Sequence, residues 1–247
     1  MNAPATPPKH VLVTGATRGI GAAIATALGE AGARVVGHGT RAAAPFVAGD
    51  LADPAAADAV WEAALEALDG RIDVLVDNAG VFEAVDVAAP AETWHAAWQR
   101  TMQINLLSAA DLCRRAVLHF RTRGADGAGE RGRIVNVASR AAYRGDSPSH
   151  WHYAASKAGL VGMTKSIARG YASEGILAFA VTPGFVRTGM AEDYLASRGG
   201  PGLLADIPLG RVAEPGEVAS VVRYLALEAP ASMTGAVLDV NGASFVR

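Results

Sequence analysis

The stretch TGATRGIG, residues 14–21, joins a short aliphatic run at residues 9–14 to a helical stripe that ends at Gly32. Its glycines are spaced G-x-x-x-G-x-G. Glycines in a strand-to-helix turn let the backbone approach a pyrophosphate closely and point a helix N-terminus at its charge. No Lys-Ser/Thr pair follows them, which excludes a Walker P-loop. A turn that needs glycine for its conformation alone is the alternative, and the flanking strand and helix favour a dinucleotide site.

Short β-branched runs alternate with helical patterns along the whole chain. The runs that predict strands are residues 9–14, 34–37, 46–48, 72–76, 133–137, 176–181 and 236–240. The later helices are predicted over 53–68, 92–121 and 151–172, and from Glu214-Pro215 onward. This alternation predicts a single doubly wound Rossmann-type α/β domain, with a seven-stranded parallel sheet and helices on both faces. Ligands of such sheets bind at the carboxyl ends of the strands, near the point where the strand order reverses.

Length and composition limit the classes of protein that remain. The 247 residues are 51% hydrophobic and 19% charged, a globular balance that suits one domain. The net charge of -2 gives no reason to expect nucleic acid or an anionic membrane as partner, and no run of about 18 to 20 apolar residues could span a bilayer. Cys113 is the single cysteine, so no internal disulfide can form, which suits a cytoplasmic protein. We expect a flexible lead over residues 1–8, one domain over 9–247 and a substrate lid over 188–211, whose glycines suggest mobility.

The residues after the second predicted strand indicate which dinucleotide would bind. A site for NAD(H) usually places an acid here to hold the ribose 2′-hydroxyl. This chain has Gly37-His38-Gly39-Thr40-Arg41 instead, with no acid. Because an acid would repel a 2′-phosphate, its absence, together with Arg18 and Arg41, favours NADP(H) over NAD(H). Two solvated arginines that bind no ligand are the alternative.

Tyr153 and Lys157 lie four residues apart on a predicted helix, and therefore on one face about one turn apart. A phenol has a pKa near 10, and lowering it to near 7 takes about 4 kcal/mol. A cation about 4 Å away, at an effective dielectric of about 20, supplies that amount. The pair therefore predicts a tyrosine whose pKa is lowered for proton transfer. A chance Y-x-x-x-K on a helix surface is the alternative, although the chain has only three lysines.

Ser139, at the end of the run IVNVAS at residues 134–139, could donate to a substrate carbonyl oxygen and stabilise its developing charge. A serine that only starts a loop is the alternative. Serine hydrolysis is disfavoured because the chain has no G-x-S-x-G motif. A zinc site needs clustered ligands, and no third ligand stands near His150 and His152, so we predict no metal.

Taken together, these motifs resemble those of the short-chain dehydrogenase/reductase family. The similarity covers nearly the whole chain, and several stretches are similar to 3-oxoacyl-[acyl-carrier-protein] reductases. The matching pieces are residues 14–21, Asp77-Asn78-Ala79-Gly80, Asn105, Ser139, Tyr153-Ala154-Ala155-Ser156-Lys157, Pro183-Gly184 and Val240-Asn241-Gly242. The resemblance implies an oxidoreductase that transfers a hydride between NADP(H) and a small-molecule carbonyl or alcohol, assembled as a homotetramer or homodimer.

The resemblance also implies roles for individual residues. Tyr153 would be the general acid in reduction or the base in oxidation, while Lys157 would bind the nicotinamide ribose and lower the tyrosine pKa. Ser139 would orient the carbonyl, and Asn105 would hold a water in a proton relay. Besides Tyr153, Lys157 and Arg41, the cofactor-binding residues would be Gly15, Thr17, Arg18 and Ile20 at the phosphates and ribose, Asp50 and Leu51 at the adenine, Asn78 and Gly80 beneath the cofactor, and Val186 and Thr188 at the carboxamide.

Two departures from the family pattern stand out. Asp77 replaces the usual first Asn of Asn-Asn-Ala-Gly, for which we expect an altered hydrogen bond and retained activity. Residues 147–152, SPSHWH, form a segment that is about one residue longer and more aromatic than in the carrier-protein reductases, and we expect it to rim the substrate pocket. Two alternatives stay open: an NAD-dependent alcohol dehydrogenase of the same family, and a non-catalytic cofactor-binding regulator on the same fold.

Overall fold

The computed structural model describes residues 7–41, 45–188 and 200–246. Strands β1 to β7 are His10–Val13, Arg34–Gly39, Val47–Ala48, Val74–Asp77, Gly132–Val137, Ile176–Pro183 and Val237–Val240. Helices α1 to α8 are Gly19–Glu30, Ala56–Ala67, Ala91–Met102, Ser108–Thr122, Ala141–Arg144, Trp151–Tyr171, Gly200–Ala205 and Pro215–Leu227. Shorter helical pieces are the π-helical turn Gln103–Leu107 and the 3₁₀ turns Ala172–Glu174 and Ala231–Met233.

The seven strands form one parallel sheet in the order β3-β2-β1-β4-β5-β6-β7. This confirms the predicted doubly wound fold. The chain runs outward from β1 to β3 and then returns to the other side of β1 with β4, so the strand order reverses between β1 and β4. Every residue of β5 and β6 is buried, as expected for strands that helices cover on both faces.

Two apolar cores lie on opposite faces of the sheet. On one face, α2 and α4 contribute Trp61 and Phe120 to a core that includes Leu12 of β1. On the other face, α1 contributes Ile24 to a core that includes Val11, because successive strand residues point to opposite sides. None of the helices in the described part of the chain is long and apolar enough to cross a membrane.

Three predicted helix boundaries can be compared with the structure. The helix expected from Asp53 begins at Ala56, because the Asp53 carboxylate accepts the Ala55 amide at 2.9 Å and forms a separate turn before the helix. The long helix expected over 92–121 is α3 and α4 joined without a break by a π-helical turn. The start of α8 is as predicted, with Pro215 in its first turn and a capping box between Glu214 and Glu217.

The expected lead and lid lie partly outside the described residues. Of the lead over 1–8, residues 1–6 are outside, and of the lid over 188–211, residues 189–199 are outside. The described end of the lid contains α7 and the buried side chain of Ile207, which lies against Gly242. The division into a lead, one domain and a lid stays a prediction.

Candidate active site

Thr14 and Asn78 tie β1 to β4 at the point where the strand order reverses. The backbone amides of Asn78 and Ala79 donate to Thr14 Oγ1 at 2.9 and 3.0 Å. Asn78 Nδ2 in turn donates to the carbonyl oxygens of Thr14 and Gly15 at 3.0 and 3.1 Å. These four hydrogen bonds hold the glycine turn against the end of β4.

The glycine turn has the shape and polarity of a phosphate site. Gly15 has a φ of +64°, and a Cβ at this position would lie 2.8 Å from Ala79 Cα. A Cβ on Gly21 would lie 2.1 Å from the Gly15 carbonyl oxygen. Among the described residues, no side chain caps the N-terminus of α1, and its first turn contains no acid. The first amides of α1 therefore keep their positive dipole end available to an anion.

A cleft of about 590 Å³ opens along the carboxyl ends of the strands. Most of the residues predicted to bind cofactor or substrate line it: Gly15, Thr17, Arg18, Ile20, Asp50, Leu51, Asn78, Gly80, Ser139, Tyr153, Lys157, Val186 and Thr188. Two predicted residues lie elsewhere. Arg41 is exposed outside the cleft lining, and Asn105 is buried behind it.

Tyr153 and Lys157 of α6 meet Ser139, which follows β5, at the cleft wall. Lys157 Nζ lies 5.9 Å from the centre of the Tyr153 ring and donates to the Val137 carbonyl oxygen at 3.0 Å. Ser139 Oγ accepts the Ala141 amide at 3.1 Å and also forms a hydrogen bond with the Tyr153 phenol. The arrangement brings a phenol, a hydroxyl and an ammonium group to one place, as the sequence predicted.

The expected lowering of the Tyr153 pKa is wrong for this arrangement. Burial raises the pKa of Tyr153 to about 12, and the hydrogen bond from Ser139 opposes the rise only in part. Lys157 is buried as well, and burial lowers its own pKa to about 8. The loss of hydration of the phenolate is the largest cause of the raised pKa, and the negative charge of Asp146 adds to it. Lys157, whose Nζ lies 5.9 Å from the ring centre, does not bring the pKa of Tyr153 below its usual value. Tyr153 is a protonated phenol at neutral pH.

Asn105 lies in the π-helical turn, and its side chain is held by neighbouring protein groups. Its Oδ1 accepts the Val81 amide at 2.8 Å, and its Nδ2 donates to the Val81 carbonyl at 3.0 Å and to Ser156 Oγ at 3.3 Å. A Cβ on Gly80 would lie 3.3 Å from Asn105 Oδ1 and 3.4 Å from Lys157 Nζ. The amide oxygen and the ammonium group thus approach the same glycine. The role of Asn105 in holding a relay water stays a prediction.

Asp77 is a buried carboxyl group at the end of β4. Its Oδ2 accepts a hydrogen bond from Cys113 Sγ at 3.4 Å, whereas its Oδ1 has no hydrogen-bond partner among the described residues. Burial raises the pKa of Asp77 to about 7, although the Cys113 hydrogen bond and the charge of Lys157 both oppose the rise. Cys113 is therefore the partner of this carboxyl group, and retained activity stays a prediction.

The segment at residues 147–152 lies behind the substrate side of the cleft. The Phe82 ring lines the cleft, contacts the Tyr153 ring edge-on at 4.8 Å and stacks on His150 at 3.9 Å. The expectation that the segment itself rims the pocket is wrong, because none of residues 147–152 lines the cleft. Phe82, which stacks on His150, and Asp146, just before the segment, line it directly. The rings of His150 and His152 are 6.4 Å apart, and no three potential metal ligands cluster anywhere in the described part of the chain.

Several cleft residues were not predicted from the sequence: His38, Phe82, Arg140 and Phe185. Arg140 is buried, and its guanidinium group lies 4.7 Å from the centre of the Phe185 ring. Each of these residues lies at a strand end or in the loop that follows one, as do many of the predicted site residues. Their place in the chain was therefore the available signal, although their residue types match no catalytic pattern.

The chain matches, over residues 15–243, the profile of a family described as enoyl-(acyl carrier protein) reductase. It is 36% identical over 250 residues to the 3-oxoacyl-[acyl-carrier-protein] reductase of Vibrio cholerae, with 96% of this chain and 98% of that protein covered. It is 37% identical over 248 residues to the 3-oxoacyl-[acyl-carrier-protein] reductase of a Synechocystis species, with 94% of each covered. A solved structure from Agrobacterium tumefaciens, provisionally described as a 2-deoxy-D-gluconate 3-dehydrogenase with bound NADP, has a TM-score of 0.82 and 29% identity over 97% of each chain.

Replacing Asp77 with Asn should stabilise the protein most above pH 7. A buried acid with a raised pKa is protonated in the folded chain while the unfolded chain is ionised, so wild-type stability falls as the pH rises from about 4 to about 7. An amide does not titrate. The free energy of unfolding of Asp77→Asn relative to wild type should therefore rise by about 3 kcal/mol between about pH 4.5 and pH 8, as measured by urea denaturation.

Asp73→Asn provides the matched control. The pKa of this carboxyl group is lowered even though burial opposes the shift, because Arg71, the His10 amide and Arg123 donate hydrogen bonds to it. Its removal should lower stability by a nearly constant amount over the same pH range, which lies above the pKa of the unfolded group. A difference between Asp77→Asn and wild type that does not change with pH would contradict the raised pKa.

Proposed function

Since this chain belongs to the short-chain dehydrogenase/reductase family and is an oxidoreductase, we propose a specific reaction for it. The protein reduces 3-oxoacyl thioesters or related ketones with NADPH. The observation that carries the proposal is the meeting of Tyr153, Ser139 and Lys157 in the same cleft as the glycine turn. The carrier-protein reductases among its relatives support the substrate class. The NADP named in the Agrobacterium structure supports the cofactor.

The cleft residues fit a dinucleotide in polarity as well as in shape. The glycine turn and the N-terminus of α1 would hold the pyrophosphate, because amides and a positive dipole end meet there. Asp50 and Leu51 lie at one end of the cleft lining, where the adenine would bind, and Val186 and Thr188 would hold the carboxamide. When bound, NADPH supplies the hydride that reduces the carbonyl carbon.

The preference for NADPH over NADH follows from charge near the end of β2. Arg18, the residue just before α1, lines the cleft, and so does Thr40. No acid occurs between His38 and Arg41 that would repel a 2′-phosphate or hold a 2′-hydroxyl in its place. Arg41 lies outside the cleft lining, so Arg18 is the better candidate for the phosphate.

Tyr153 would transfer its phenol proton to the substrate oxygen as the hydride forms a bond to the carbonyl carbon. The carbonyl π bond breaks, a C–H and an O–H bond form, and a phenolate remains on the enzyme until it is reprotonated from water. Because the pKa of Tyr153 is about 12, the acid form is present throughout the neutral range. The Ser139 hydroxyl can donate to the same substrate oxygen, and the charge of Lys157 stabilises the phenolate.

The raised pKa of Tyr153 also bears on the alternative of an NAD-dependent alcohol dehydrogenase. Alcohol oxidation needs a base that accepts the hydroxyl proton. Because burial raises the pKa of Tyr153, the phenolate that oxidation needs is the minor form near pH 7, whereas the phenol that reduction needs is the major form. The second alternative, a non-catalytic regulator, is not favoured by the two curated relatives described above, which are both named as reductases. A homotetramer or homodimer and a cytoplasmic location stay predictions from the resemblance.

Tyr153→Phe should lose most turnover while it keeps its affinity for NADPH. The change removes the phenol hydroxyl, and with it the transferable proton and the hydrogen bond to Ser139. General acid catalysis contributes about 10²- to 10⁴-fold to rate. We expect the dissociation constant for NADPH to change by less than about threefold. NADPH consumption is measured with 3-oxoacyl thioesters, ketosteroids, quinones and small ketones, and an enoyl thioester tests for reduction of a carbon–carbon double bond.

Tyr171→Phe is the control, since Tyr171 ends the same helix and its ring contacts Arg121 at 4.9 Å. This variant should keep full activity. A fully active Tyr153→Phe variant would rule out the proposed acid. Turnover of the enoyl thioester alone would rule out carbonyl reduction.

Arg18→Ala should weaken NADPH binding about tenfold and leave NADH binding within about twofold, because only NADPH has the 2′-phosphate that the guanidinium group would pair with. Equilibrium titration of each nucleotide against protein fluorescence measures both constants. Arg34→Ala is the control, since exposed Arg34 pairs with Asp69 at the opposite end of β2. Equal weakening of both nucleotides by Arg18→Ala would show that Arg18 does not select the 2′-phosphate.

A further inference from the structure

His38 is a buried side chain in β2 that connects the glycine turn to the segment after β3. The residue is only 3% exposed. The Gly15 amide donates to His38 Nδ1 at 3.3 Å, and His38 Nε2 lies 2.9 Å from the Gly49 carbonyl oxygen. The His38 carbonyl oxygen also accepts the Ala16 amide at 2.8 Å. Two consecutive amides of the turn are therefore hydrogen-bonded to one residue.

These partners fit only one neutral tautomer of the ring. An amide can donate only to a ring nitrogen that has no hydrogen, so Nδ1 presents its lone pair to Gly15 and Nε2 donates to Gly49. Burial lowers the pKa of His38, and the hydrogen bond to Gly49 opposes this in part, so the ring is neutral at pH 7. Protonation would set two N–H groups against each other across the 3.3 Å contact.

The turn that His38 holds has little freedom to adjust. Gly15 has a left-handed φ, and a Cβ at this position would lie 2.8 Å from Ala79 Cα, so the turn is packed closely against the end of β4. Thr17 and Gly19, which follow in the turn, line the cleft together with Gly15. A displaced Gly15 amide would therefore move the group of amides that is proposed to bind the pyrophosphate.

We propose that neutral His38 is a positioning residue that holds the glycine turn in its cofactor-binding conformation, so that cofactor affinity depends on the protonation state of this ring. The inference rests on the proposed binding of NADP(H) in the cleft. His38 lines the cleft at the end assigned to the adenosine, away from Tyr153. Its protonation should therefore change the dissociation constant of the cofactor.

The charged side chains near this end of the cleft are Arg18 of the glycine turn, Asp50 after β3 and Arg41 after β2. Asp50 Oδ1 is occupied by the Ala52 amide at 3.1 Å. The lowering of the His38 pKa is caused by burial, and the hydrogen bond to the Gly49 carbonyl opposes it. We therefore assign the expected pH dependence of cofactor binding to the imidazole ring of His38.

His38→Asn is the sharpest test, because its amide oxygen can accept the Gly15 amide as Nδ1 does and does not titrate. The dissociation constant for NADPH is measured by calorimetry from about pH 7.5 to about pH 5.5. The 2′-phosphate of NADPH also titrates over this pH range. It affects wild type and His38→Asn equally, so its effect cancels in the ratio of their two dissociation constants. We expect the ratio of the wild-type constant to that of His38→Asn to rise as the pH falls below 6.5, the usual pKa of histidine, because the pKa of His38 is lowered from that value.

His38→Leu removes both ring hydrogen bonds at similar volume. We expect NADPH to bind about tenfold more weakly at pH 7.5, without the additional weakening at low pH, because the buried Gly15 amide and Gly49 carbonyl lose their partners. Circular dichroism establishes that each variant is folded under the conditions of the titration. If His38→Leu is not folded, the test is made with His38→Asn.

Parallel pH curves for wild type and His38→Asn would overturn the role of His38, and so would wild-type affinity in a folded His38→Leu variant. In both of these cases NADPH still binds, so the proposed function stands. If wild type binds no NADPH at any pH, the proposed function fails and the inference fails with it.

Discussion

The close packing of the glycine turn against the end of β4 is the constraint on which the site depends. The turn has no space for a Cβ at Gly15 or Gly21, and four hydrogen bonds between Thr14, Asn78 and their neighbours fix it where the strand order reverses. This packing sets the direction of α1 and therefore the direction of its free amides. Much of the rest of the cleft is built from residues at or after the ends of the same parallel strands, which the sheet brings to one edge, while Tyr153 and Lys157 come from α6.

Burial controls the acid–base chemistry in this cleft more than the pairing of charges does. It raises the pKa of Tyr153 and of Asp77 and lowers that of Lys157, because the charged form of each group loses hydration. The phenol is therefore kept as a proton donor, which is the form that carbonyl reduction requires. The charges of Lys157 and Asp77 also act on each other, and each opposes in part the effect of burial on the other's pKa.

Much of the fold could be predicted from the sequence because hydrophobic periodicity reports directly which faces are buried. The alternation of strands and helices gave all seven strands and the parallel sheet, and the motif residues at strand ends line one cleft. The start of α2 was misplaced because Asp53 caps a turn that precedes the helix. A π-helical turn within a continuous helical pattern leaves no periodic signal that would distinguish it.

The pKa values and hydrogen bonds of the site residues could not be predicted as well as the fold. Helix spacing placed Lys157 near Tyr153, but it could not show that both groups are buried or that the ammonium donates to Val137, so the direction of the tyrosine pKa was wrong. The hydrogen bonds of His38 depend on a contact between strands that are distant in sequence. Such contacts are fixed by the register of the sheet, which the sequence of one strand does not specify.

Isotope transfer tests the central claim of hydride and proton addition to a carbonyl most directly. NADPH with deuterium at both hydrogens of its reduced nicotinamide carbon is incubated with the protein and a 3-oxoacyl thioester, and the product is analysed by mass spectrometry. The account predicts a hydroxyacyl thioester with one deuterium on the carbinol carbon. A product alcohol without deuterium, or no alcohol at all from any carbonyl substrate, would contradict it.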